Sequence, residues 1–206
     1  MARYLISFAV ITLLGSGTPL AADEKGKDKE KPKAKIEVGK PAPGFPLKAQ
    51  DGKDVKLSSF KGKKSVLIAF YPKDFTGGCT EEVKGFGADH DSFVKSGVQV
   101  LGVSVDPVDS HKKFCDSLKL PFPLLSDEGG KVSKLFGVLN TSDKGSMSAR
   151  SVFLVNKDGT VKYADDKYDL KPAHDHAALM KAVKDAGGAG PAEPKGPKEP
   201  KGKGSK

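Results

Sequence analysis

The sequence predicts an α/β fold in which helices flank a mixed central sheet, and three observations predict it. Two apolar runs, Ser65 to Tyr71 and Val98 to Val105, read as strands buried on both faces. Each is followed by a segment of helical character. The pattern then changes: Ser151 to Val155 and Thr160 to Ala164 flank the turn Asn156-Lys157-Asp158-Gly159, and a helix from about His174 to Ala186 ends the ordered chain.

The 206 residues suggest one domain with extensions. Arg3 begins a positive n-region, Tyr4 to Leu14 is apolar, Gly15 to Pro19 breaks the run, and Ala21-Ala22 offers a small-residue cleavage site. Residues 1–22 therefore read as a secretory signal peptide, with an uncleaved anchor as the alternative, and the mature protein is expected in the periplasm. The apolar run is too short to span a bilayer stably. The formal charge of +9 is spread unevenly. Residues 23–35 carry six Lys against four acids, and the tail from Gly187 carries five Lys against two Glu, which leaves +3 for residues 36–186. Residues 23–37 and 187–206 are poor in apolar side chains to bury and read as a disordered Lys-rich linker and tail. The domain is assigned to residues 38–186. No aromatics interleave with the lysines, which argues against nucleic acid.

Within the domain, Phe45 to Gln50 and Lys53 to Leu57 flank Asp51-Gly52, a signal for an N-terminal hairpin. Ser58 to Lys63 turns the chain into the first buried strand. A helix is expected over Glu81 to Ser96, with Val83, Phe86, Phe93 and Val94 on its inner face, weakened by Gly85 and Gly87 and closed by Gly97. After the second strand, Val108 to Leu118 places His111, Phe114, Cys115 and Leu118 on one face. Leu124 to Ser126 is a short strand, and Asp127 can cap a helix over Gly130 to Phe136. Asn140 to Ser148 reads as a polar loop.

The chemistry centres on Pro72-Lys73-Asp74-Phe75-Thr76-Gly77-Gly78-Cys79. Cys79 stands where a helix begins, and unpaired N–H groups with the positive end of the helix dipole favour its thiolate. A thiolate that breaks an O–O bond needs donors aimed at the departing oxygen. The Thr76 hydroxyl and the N–H groups of Gly78 and Cys79 can supply them, and Pro72 can shield the sulfur. Arg150, the only Arg beyond Arg3, can supply a permanently charged fork.

Pro72-x-x-x-Thr76-x-x-Cys79 resembles the active-site motif of peroxiredoxins. The context Phe70 to Cys79, then Val100 to Ser104, Leu124 to Asp127, Phe136 to Val138 and Arg150 to Val155, is similar to the bacterioferritin comigratory protein (peroxiredoxin Q) subfamily, over roughly Val38 to Val183. The resemblance implies a thioredoxin-like fold and a thiol peroxidase needing no metal, haem or flavin. Cys79 would attack hydrogen peroxide or an organic hydroperoxide. Thr76 and Arg150 would hold the peroxide oxygens, and Pro72 would shape the pocket. Many members carry a resolving Cys five residues on, where this chain has Lys84. Others carry it on the helix after the second strand, which implies Cys115, a Cys79–Cys115 disulfide and local unwinding of the helices that hold them. A thioredoxin-like or other thiol reductant and a monomeric state are expected by the same resemblance. Gly77 stands where relatives often have Pro, and Phe86-Gly87-Ala88-Asp89 lacks a charge that relatives commonly have.

Plainer readings exist for each residue. Cys115 on an apolar face can be an inert buried thiol, which leaves a one-cysteine peroxidase. Thr76 can cap the helix. Glu81 and Glu82 are expected to be solvated complements of the dipole, and His90 and His111 to be at the surface or half-buried. His174-x-His176 does not share a helical face and is not expected to hold metal. A thiol–disulfide oxidoreductase would show Cys-x-x-Cys, but position 82 is Glu; a glutathione peroxidase would show a Trp, and there is none. A secreted module with a structural disulfide would not need Pro72, Thr76 and Arg150.

Overall fold

Six consecutive buried residues, Ser65–Phe70, form strand β3 at the centre of a seven-stranded mixed sheet. The computed structural model describes residues 36–143, 145–169 and 173–187. The expected leader, most of the linker and the tail beyond Gly187 lie outside the described residues.

The N-terminal hairpin is present as β1 (Pro46–Ala49) and β2 (Asp54–Lys56), and a 3-10 turn, Leu57–Phe60, leads into β3. Helices α1 (Gly77–Ala88) and α2 (His90–Lys95) precede β4 (Val98–Ser104). Then come α3 (Val108–Leu118), β5 (Leu124–Ser126) and α4 (Lys131–Leu135). Strands β6 (Leu139–Ser142) and β7 (Gly145–Ser148) pair with each other, and β8 (Ser151–Val155), β9 (Val161–Asp165) and α5 (Ala173–Gly187) complete the chain.

The strand order is β2-β1-β5-β4-β3-β8-β9. Strands β3, β4 and β5 run parallel, and β8 lies antiparallel beside β3. The two faces of the sheet carry separate cores. Leu67, Ala69, Tyr71, Val100 and Leu154 point to one, with Phe86, Phe93, Phe114, Leu179 and both cysteines. Val66, Ile68, Phe70, Leu101 and Phe153 point to the other, with Phe45, Val132 and Phe136. The period-two alternation of strand side chains separates the sets.

Two expectations are corrected. The single helix over Glu81 to Ser96 starts earlier, at Gly77, and breaks at Asp89 (φ −86°, ψ 1°) into two. The break re-phases the second piece, so Phe93 is buried while Val94 is 54% exposed. The polar stretch from Asn140 to Ser148 is part of a hairpin held by backbone pairing, with Leu139 opposite Ser148, because no apolar alternation is needed where both faces are largely solvated. Asp127 does serve α4, though from outside it: its carboxylate accepts from the N–H groups of Val132 (3.0 Å) and Ser133 (2.7 Å).

Candidate active site

Cys79 is the third residue of α1 and is 2% exposed. The antiparallel register of β3 and β8 pairs Phe70 with Ser151, so Arg150 arrives at the end of β3 where the cysteine loop starts. Its Nη2 donates to Cys79 Sγ at 3.7 Å, and its Nη1 to the Gly78 carbonyl at 3.4 Å. A Cβ on Gly78 would stand 3.1 Å from Nη2, so glycine there admits the guanidinium.

Arg150 Nη1 also donates to a Glu82 carboxyl oxygen. The expectation that Glu82 is solvated is corrected: it is fully buried, whereas Glu81 is exposed. Because α1 begins at Gly77, Glu82 stands one turn beyond Cys79 on the inward face with Val83 and Phe86. Burial pushes its carboxyl up to about 8, against the pull of Arg150. Burial works against the guanidinium charge as well, but Glu82 and the Cys79 sulfur outweigh it and hold Arg150 above its ordinary range.

Thr76 is the N-cap of α1 by backbone (φ −94°, ψ 147°), yet its side chain does not cap. Its hydroxyl donates to the Lys73 carbonyl at 3.1 Å and is exposed, and Pro72 is half-buried. Phe75 takes a left-handed backbone (φ 58°), a conformation that costs a bulky side chain roughly 1–2 kcal/mol. Its ring is largely exposed and packs at 4.9 Å between centroids on Phe114 of α3.

A buried polar network lies beneath this loop, and the sequence gives no sign of it. The Asp74 carboxylate accepts from the hydroxyls of Tyr71 (2.8 Å) and Ser110 (2.7 Å) and meets His111 Nδ1 at 2.9 Å. The Asp74 N–H donates to Asp106 (2.9 Å), which also accepts from Ser104 (2.6 Å). His111 is wholly buried, not at the surface or half-buried as expected; its Nε2 faces the Leu125 carbonyl at 3.1 Å. Both ring nitrogens therefore have buried oxygen partners. Burial works to raise the Asp74 carboxyl, but His111, Ser110 and Tyr71 together hold it below the usual carboxylate range.

Cys115 is 8% exposed and is not joined to Cys79; both thiols are free. Its partners are Gln50, whose Nε2 donates to Sγ at 3.5 Å, and the Leu120 carbonyl just past α3, to which Sγ donates at 3.8 Å. Gln50 follows β1, three strand positions from β3, roughly 14 Å away in the sheet. The structure thus brings Cys79 and Arg150 together, sets Pro72 and Thr76 on the same loop, and leaves Cys115 apart.

The side chain of His174 is outside the described residues. His176 pairs with Asp89 (3.0 Å) and Tyr168 (3.3 Å). Among the described residues, no three His, Cys, Asp or Glu side chains group as a metal site, and no helix is long and apolar enough to cross a membrane.

Comparison with known proteins gives concordant results. The AhpC/TSA family model matches residues 38–164. Peroxiredoxin Q of Sedum lineare is 45% identical over 154 residues, covering 73% of this chain and 81% of the relative. Peroxiredoxin Q of Oryza sativa subsp. japonica is 45% identical over 130 residues, covering 63% of this chain but only 58% of the relative's length. A structure of the Xanthomonas campestris bacterioferritin comigratory protein superposes with a TM-score of 0.63 at 32% identity, covering 69% of this chain and 92% of that one. The thioredoxin-like arrangement expected from the resemblance is the one these neighbours share. The periplasmic location expected from the leader is overturned by the comparison, in which the plant relatives are chloroplastic proteins. On the family match and on the identity to a relative covered over four-fifths of its length, the chain belongs to the AhpC/TSA family, among the peroxiredoxin Q proteins.

Proposed function

We propose that the chain is a thiol-dependent peroxidase. The single observation that carries the proposal is the Arg150 guanidinium at 3.7 Å from a cysteine sulfur in the first turn of a helix. Those two positive influences stand ready for the charge that develops on a departing oxygen.

In this reading Cys79 attacks one oxygen of hydrogen peroxide or an organic hydroperoxide. The S–O bond forms, the O–O bond breaks, and water or an alcohol leaves after taking a proton. The Xanthomonas protein is described as reducing alkyl peroxides, which supports organic hydroperoxides as substrates here. Arg150 steadies the peroxide oxygens and the leaving charge. Thr76 already gives its hydroxyl proton to Lys73, so its lone pairs face outward to accept from the peroxide O–H. Pro72, half-buried beside the loop, limits water.

Cys115 then attacks the Cys79 sulfenic acid, giving a 79–115 disulfide and water, and a thioredoxin-like dithiol restores both thiols. The two free cysteines belong to the same core but to different helices, so one or both of α1 and α3 must partly unwind for the sulfurs to bond. Gly77, Gly78, Gly85 and Gly87 lower the cost of doing so. The working unit is assigned to residues 38–186 and to a monomer.

Peroxide consumption by the unaltered protein and by Cys79→Ser and Cys115→Ser tests this. Loss of the first turnover in Cys79→Ser alone, with loss of recycling in Cys115→Ser, is expected. An unaltered protein that consumes no peroxide under reducing conditions defeats the proposal.

A further inference from the structure

Sγ of Cys115 sits between two fixed groups, and one of them belongs to the N-terminal hairpin. Gln50 is the first residue after β1. Its main chain donates to the Leu124 carbonyl at 3.0 Å, and its side-chain Oε1 accepts from the Leu124 N–H at 2.9 Å. With Oε1 committed there, the amide nitrogen can only point the other way, and it donates to Cys115 Sγ at 3.5 Å. An amide donor fixed at three points is a preorganised partner for a sulfur that must become negative.

The sulfur needs such a partner. Burial, and after it the nearby Asp116, push the Cys115 thiol up, while the Leu120 backbone contact, then Gln50 and Lys112, pull it back. The charged groups that face the site are Asp51 from the hairpin turn and Asp109, Lys112 and Asp116 from α3. Lys112 is already paired with Asp116 at 3.0 Å, so its help is shared. The Gln50 amide is the uncharged donor that remains. A surface cleft of about 630 Å³ between the hairpin turn and α3 reaches Cys115, so a proton released from the thiol has a way to water.

We propose that Gln50 is a positioning residue for the resolving step: its amide holds Cys115 Sγ and donates to the thiolate as it attacks the Cys79 sulfenic acid. The proposal rests on the reading of Cys115 as the resolving thiol. In that step the Cys115 thiolate forms the S–S bond, the S–O bond of Cys79 breaks, and the hydroxide that leaves takes a proton to become water. No further oxidant or reductant enters. The hairpin thereby has a part in a reaction whose first step occurs at the far end of β3.

The test uses the full chain with Cys79→Ser, in which Cys115 is the sole thiol. Its alkylation by iodoacetamide is followed against pH, with and without Gln50→Glu and Gln50→Leu. Gln50→Glu keeps the acceptor for Leu124 N–H and replaces the donor by a carboxylate; Gln50→Leu removes both. Each variant should move the profile upward by about one pH unit, slowing alkylation at neutral pH about tenfold. Gln50→Glu decides between the outcomes if the hairpin of Gln50→Leu fails to form. With both cysteines restored, Gln50→Glu should leave the first turnover with hydrogen peroxide unchanged and slow disulfide formation by a similar factor. An alkylation profile that does not move in Gln50→Glu overturns the proposal. A profile that moves, in a protein whose unaltered form makes no 79–115 disulfide, overturns the resolving role of Cys115 and leaves the contact standing.

Discussion

Glu82 sets the electrostatics around Arg150 and illustrates what one buried carboxyl can do. Its folded-state carboxyl titrates near about 8 against an ordinary 4.5. The folded protein therefore keeps a proton that the unfolded chain has lost, and stability falls as pH rises through that window. The slope can reach about 1.4 kcal/mol per pH unit. Urea unfolding of the wild type should show this decline between pH 5 and 8, and Glu82→Gln should flatten it. Arg150 released from Glu82 should stay charged but lose its orientation, so the same variant should consume peroxide more slowly. At Gly78, a methyl group would stand 3.1 Å from Nη2 and displace the guanidinium from the sulfur. Gly78→Ala should keep the fold and lower the rate of Cys79 oxidation about tenfold, a loss of about 1.4 kcal/mol in barrier terms, measured by stopped-flow with hydrogen peroxide. That Cys79, Thr76 and Pro72 stand together was legible because they lie in one loop, and Arg150 stood out as the only Arg beyond Arg3; its approach to Cys79 is set by strand pairing. Glu82 was not legible. Beside Glu81 it reads as a second dipole complement, and only a helix that starts at Gly77 turns one of the two inward.

Among the elements, the contact between the cysteine loop and α3 matters most. Tyr71 and Asp74 meet Ser110 and His111 there, and the Phe75 ring lies on Phe114. Removing one partner of a buried charged pair leaves the other uncompensated, so Asp74→Asn should cost roughly 3 kcal/mol in urea unfolding. The pH dependence has the opposite sign to that of Glu82. A carboxyl held below its ordinary 3.8 stabilises the fold above that pH, and the benefit is lost as acidification protonates it. The wild type should therefore lose stability more steeply below about pH 4 than Asp74→Asn does. Sequence periodicity placed α3 at its observed bounds, because a wide apolar face over eleven residues is a strong signal. It did not assign His111 a charged partner. His111 and Asp74 are 37 residues apart in sequence, and periodicity carries no information about contacts across elements. The break at Asp89 follows Gly85 and Gly87, which the sequence marks as weak points of the helix, but their presence does not say whether the helix bends, frays or stops there.

For the whole molecule, the described residues belong to one compact unit, and both cores are built from them. Residues near the expected domain edges take part: the Gly39 N–H donates to the Val161 carbonyl at 2.8 Å, and Ala186 is buried against the first core. A chain shortened to residues 36–187 should fold with a Tm within about 2 °C of the full chain by calorimetry. The mixed sheet was legible from the sequence of buried runs and one late hairpin. Its strand order was not, because β1 inserts beside β5 through pairings such as Lys48 with Ser126, and nothing local to either strand specifies the other.

The placement of β8 antiparallel to β3 has one more consequence. Arg150 and Cys79 are 71 residues apart, yet what aligns them is two neighbouring backbones and not the chain between. Length changes in the β6–β7 hairpin leave that alignment intact. One residue added within β8 ahead of Phe153 breaks it, since the strand then reaches the loop out of step. Two homologues can thus carry identical motif residues, one live and one dead, and differ by a single inserted codon that no scan for those residues would register.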